Sequence, residues 1–265
     1  MQTCALATRK RCRLTPETSV PASVSDLYKA HVKNLRAVEA GIAQIERDLN
    51  RALAEENVSL AETLKKLLLF LVGAWAECRL KKLIYEAQGF SSANRELILA
   101  ERTQAARWKR ALEIGYRKRY NIPRAPLSES TLPGTAWFRL TAIQKILSEY
   151  LEPIIGLRNT LAHGQWERPL NSDETEISGS LIAQMNQENA LTIKFKMSLI
   201  ESTSALIHDL VSATSFERDF DVHYRHAMTA RTNLSRRSYE KWRASMVEKK
   251  VRGRLKRDAA IAALS

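Results

Sequence analysis

The 265 residues carry 45% hydrophobic and 27% charged side chains with nine glycines and seven prolines, which excludes a disordered chain and suits long helices better than an all-β fold. The longest apolar run, residues 67–76, is half of the roughly 20 residues a membrane span requires, so it reads as a buried helix and no membrane partner is expected. The formal charge is +13 and lies at the ends: +3 in residues 1–20, +7 in residues 216–265 and +3 in all the rest, a distribution that favours polyanions, nucleic acid first among them.

Arg9, Lys10, Arg11 and Arg13 lie in a stretch without the apolar segment of a secretory signal, so residues 1–20 read as a flexible basic tail. Cys4, Cys12 and Cys78 form an odd set without CxxC spacing. Neither a disulfide framework nor a zinc site is supported, and a reducing cytoplasm is the expected location.

Residues 16–25 look like a linker, and Ser25 or Asp26 can cap the first helix, over about residues 26–56, with one apolar stripe from Leu27 to Leu53. A second helix over about residues 58–87 is apolar around much of its circumference and reads as central. A third spans about residues 92–118, and the prolines at 123, 126 and 133 then break the pattern. A fourth runs from about 136 to 163, with Pro153 either opening a new helix or kinking a continuous one, and Gly164 as its stop.

Residues 191–197 alternate with period two and predict a short strand, paired in a small β-hairpin with residues near 177–182. A last core helix follows over about 198–213. From Phe216 onward the pattern is helical but poor in large apolar residues. The expected organisation is therefore mainly α: a helical bundle over residues 21–215 and a basic helical extension over residues 216–265.

Arg158, Asn159 and His163 stand together at the end of the fourth helix. Asn159 and His163 share a face, and the long Arg158 side chain can reach round to a phosphate held there. A histidine titrating near neutrality can move the proton of an RNA 2′-hydroxyl or of the leaving 5′-oxygen, and an arginine can stabilise charge on the phosphate. Such chemistry needs no metal and no cofactor. The same residues also read as a helix C-terminus where basic side chains complement the dipole and Gly164 caps. Spacing alone is cheap, because Arg218 and His223 repeat it; Asp219 and Asp221 separate that pair, whereas residues 158–166 contain no acid.

Arg158-Asn159 followed by three residues and His163, in the setting Leu161-Ala162-His163-Gly164, resembles the signature of the HEPN superfamily (higher eukaryotes and prokaryotes nucleotide-binding). The resemblance implies a small helical bundle and a metal-independent endoribonuclease, a homodimer in which both motifs face one cleft. Arg158, Asn159 and His163 would be its catalytic residues. Toxins and defence effectors belong to this class, so an antitoxin or other regulatory partner is an expected companion. Family members paired with a nucleotidyltransferase carry a tyrosine two positions after the histidine; here Gln165 stands there, and regulation by modifying that tyrosine is not expected. The alternative is a non-catalytic RNA-binding or adaptor protein that uses the bundle to dimerise.

Glu77, Arg79 and Trp166 are candidates to support the motif, although an internal ion pair for Glu77 and Arg79 and a core position for Trp166 are the plainer readings. RNA contact is expected from Arg231, Arg236, Arg237, Lys241, Arg243, Lys249, Lys250, Arg252 and Arg254. Residues 225–257 hold twelve basic residues against two acids, Glu240 and Glu248.

Overall fold

The computed structural model describes residues 22–213 and 215–263; the basic tail expected at residues 1–20 lies outside them. The chain is mainly helical and its helices form a bundle. α1 (Val24–Ala54) starts at Ser23, whose hydroxyl accepts the Asp26 N–H, and buries the stripe Leu35, Ile42, Leu49 and Leu53. The chain turns at residues 55–57 and returns as α2 (Val58–Ile84), capped by Asn57. Neighbours cover α2 on several sides, which is why its apolar residues run round the whole helix. Leu69, Val72, Ala76 and Ile84 are fully buried, each large side chain contributing about 1.5–3 kcal/mol.

The third predicted helix is two: α3 (Ser92–Leu99) and α4 (Gln104–Arg119). Thr103 restarts the helix by accepting the Ala106 N–H at 3.1 Å, and the Arg107 guanidinium donates to the carbonyls of Leu99 and Glu101 at the end of α3. The fourth is one rod with an irregularity: α5 (Gly134–Ile146), a π-helical turn (Leu147–Leu151) and α6 (Glu152–Ala162) follow without leaving helical backbone angles. Pro153 has no N–H to donate, and the wider π turn absorbs that missing bond.

The predicted strand is a helix. Residues 191–197 open α8 (Ala190–Ser212), because Asn189 forms a capping box: its side chain accepts the Leu191 and Thr192 N–H groups at 3.0 Å while its own N–H donates to Thr192 Oγ1 at 2.8 Å. Leu191 and Ile193 are buried, and the stripe runs on through Ile200, Ile207 and Leu210 at helical spacing. Most of the proposed partner segment is the first turn of another helix, α7 (Gly179–Gln187). What pairs after the motif is one antiparallel bridge between Leu170 and Ile177, and no strand is present among the described residues.

The boundary expected at residue 216 runs through packed structure. α9 (Phe216–Arg236) lies back along α8 and buries Phe216, Phe220, Ala227 and Ala230. Phe216 packs edge-on against Tyr116 and Phe220, and Phe220 stacks on Tyr224. Glu217 pairs with Arg119, and burial, reinforced by the neighbouring Glu217 carboxylate, pushes the Tyr120 hydroxyl up to about 12. Only α10 (Tyr239–Ala262) fits the idea of an extension: it buries no residue, its first half leans on α1, and residues 251–263 are exposed throughout. Among the described residues, no helix is long and apolar enough to cross a membrane.

Candidate functional site

The motif occupies the last turn of α6, where that helix crosses α2. Gly73 makes the crossing close: a Cβ there would stand 2.3 Å from Arg158 Cβ and 3.5 Å from the Ile154 carbonyl. Arg158 therefore leaves α6 against α2 and is directed along it. Its guanidinium lies 5.8 Å from the Phe70 ring centre, Nη2 donates to Glu77 Oε2 at 3.3 Å, and Nη1 donates to Asn159 Oδ1 at 3.1 Å. Asn159 is exposed and links Arg158 to the outer face of the helix.

His163 is exposed at the helix end, and its imidazole makes no hydrogen bond among the described residues. Its backbone N–H donates to the Asn159 carbonyl at 3.1 Å. Gly164 reverses the chain at φ +78°, a conformation that side-chain-bearing residues seldom adopt. The Gly164 N–H donates to Leu161 O and the Gln165 N–H to Thr160 O, the two bonds of a Schellman stop. Gln165 is spent on the loop, its carboxamide oxygen accepting the Leu170 N–H at 3.0 Å.

Of the three supporting candidates, Glu77 joins the motif, Trp166 braces it and Arg79 lies elsewhere. Glu77 bonds both Arg158 and Lys81, the latter at 2.7 Å. Burial alone would raise its carboxyl, but the Lys81 hydrogen bond and the charges of Lys81, Arg158 and Arg107 outweigh that and hold it below its ordinary value. The Trp166 indole N–H donates to the Leu161 carbonyl at 3.0 Å, which pins the loop, and Glu167 beyond it pairs with Lys66 of α2. Arg79 stacks over Trp75 at 4.7 Å and bonds Glu201 of α8 at 2.7 Å. Two residues on from Glu77, it is turned some 200° round the helix.

The expected RNA contacts divide into three groups. Arg231, Arg243 and Lys250 are engaged with Glu149, Glu56 and Glu55. Lys249, Arg252 and Arg254 are exposed on the middle and second half of α10. Arg236, Arg237 and Lys241 meet at the elbow between α9 and α10, where they line a cleft of about 560 Å³ with Lys194, Phe195, Asn233 and Trp242. Lys194 and Phe195 escaped sequence reasoning because a strand assignment sends these two neighbours to opposite faces, whereas on α8 both border the elbow. Gly73 and Phe70 escaped it because their role lies in a contact with α6, more than 80 residues on.

The competing pair is dismantled by its neighbours. Arg218 donates to both carboxylate oxygens of Asp219, at 2.8 and 3.0 Å, and His223 sits 3.3 Å from Asp209 of α8. No protein-family model, no curated protein and no solved structure matches the chain.

Proposed function

We propose that this chain is a metal-independent endoribonuclease acting through Arg158, Asn159 and His163. The supporting observation is a guanidinium fixed by Glu77 and Asn159, with Asn159 one helical turn before an exposed imidazole at a capped helix end. In the reaction the RNA 2′-oxygen attacks the adjacent phosphorus, its proton passes to a histidine, and the bond to the 5′-oxygen breaks. A 2′,3′-cyclic phosphate and a 5′-hydroxyl result. Arg158 stabilises the charge on the non-bridging oxygens, and Asn159 orients the phosphate. Each chain offers one histidine at this place, whereas base and acid are both needed. A homodimer that sets two copies of His163 across one cleft supplies them, and the RNA lies between.

One observation favours the alternative of a non-catalytic RNA-binding or adaptor protein: Glu77 already neutralises Arg158. The two readings separate on a substrate carrying a single 2′-deoxy residue. The nuclease spares the bond after that residue and leaves cyclic phosphates at every other cut. Uniformly intact RNA, or cleavage indifferent to the deoxy position, contradicts the nuclease. A toxin or defence role, with a neutralising partner in the cytoplasm, belongs to the same proposal; growth arrest on induction, abolished by His163→Ala, tests it.

A further inference from the structure

We propose that the cleft between α8 and the α9–α10 elbow is a binding site for single-stranded nucleic acid, holding phosphates on its cations and a base against its aromatic wall. Four cations line it, Lys194, Arg236, Arg237 and Lys241, and no acidic residue does. None of the four makes an ion pair among the described residues. Their neighbours on the same helices behave differently, since Arg231, Arg243 and Lys250 each face a glutamate. Four uncompensated charges round one concavity repel one another and raise the local potential, an arrangement that a bound polyanion relieves.

Phe195 and Trp242 give the concavity a ligand type. Both are half-buried and both line the cleft, so each presents ring surface among the cations. Cations interleaved with aromatic rings suit a strand whose bases are free to stack. A duplex keeps its bases stacked inside and offers only phosphates, and an anionic membrane offers charge without planar rings. Asn233, on the same wall, carries a donor and an acceptor for a base edge. The volume lies within the range of about 300–1,000 Å³ typical of small-ligand pockets, room for a nucleotide or two rather than a long track. Residues 251–263 are exposed throughout, so their charges add general attraction.

This site does not rest on cleavage at His163, and its test uses a strand that lacks the 2′-hydroxyl. The probe is a fluorescein-labelled oligo-deoxyuridine about 12 nucleotides long, titrated with the full chain in chelator. Joint Lys194→Glu and Arg237→Glu substitutions are expected to weaken binding about 30-fold and to make the salt dependence shallower by roughly 1.4 in the log–log slope. Arg252→Glu with Arg254→Glu makes the same change in net charge and is expected to weaken it less than about threefold. Phe195→Leu keeps apolar bulk without the ring and is expected to weaken binding about tenfold at an unchanged melting temperature. Equal losses in the two double variants overturn the proposal. So does a duplex bound as tightly as the single strand, or phosphatidylserine vesicles bound through Lys194 and Arg237 in preference to it.

Discussion

Gly73 decides how near Arg158 comes to α2. Because the clash would fall on Arg158 Cβ, which no rotamer can move, any side chain at residue 73 forces the two backbones apart. Alanine is the better helix former by up to about 1 kcal/mol, yet overpacking costs about 1–3 kcal/mol, so the steric effect wins. Gly73→Ala is expected to lower the melting temperature and to reduce RNA cleavage. An unchanged melting temperature would show that α6 does not press on α2 at this point.

Glu77 gives the same junction a pH signature. Its folded carboxyl sits below the ordinary 4.5, so its ion pairs stabilise the fold fully above that pH and are lost as the pH falls through the lower folded value. The stability gap between the wild type and Glu77→Gln is therefore expected to be widest above pH 4.5 and to close below it, read by denaturant melts at stepped pH. A gap that widens in acid would reverse the assignment. The motif was legible because Arg158, Asn159 and His163 are neighbours in the chain and Gly164 marks the helix end. Gly73 and Glu77 were harder to read, since their role depends on the crossing of two helices that are far apart in sequence.

At the level of elements, sequence patterns served where one face of a helix is buried and failed where aromatic anchors are sparse. α1 shows its stripe and α2 its apolar circumference. α9 hides its own, because Phe216, Phe220, Ala227 and Ala230 stand at helical spacing among arginines and polar residues, and a count of large apolar side chains undervalues them. Phe220→Ala is expected to cost about 3–5 kcal/mol in denaturant melts, as a core phenylalanine does. A cost under about 1 kcal/mol would return α9 to the status of an appendage. The period-two alternation of residues 191–197 misled for a different reason: seven residues are too few to separate the two periods, and Asn189 with Thr192 decides for the helix. Asn189→Ala is expected to destabilise the chain by about 1 kcal/mol.

For the molecule as a whole, the excess positive charge resolves into distinct parts. Some arginines and lysines of α9 and α10 tie these helices to the end of α1 and to the π-helical turn, others gather at the elbow cleft, Arg218 pairs with Asp219, and most of the rest stand exposed along α10. The proposed dimer would bring two motifs together, and sedimentation of the intact chain is expected to give twice the 30.1 kDa of one copy. The ribonuclease proposal itself is tested most directly by the rate at which the purified chain cuts a single-stranded RNA in excess chelator, with and without His163→Ala. The wild type is expected to cut, and the variant, still folded and still binding RNA, to be slower by about 10²–10⁴-fold. Equal rates in the two proteins, or RNA left intact by both, would contradict it.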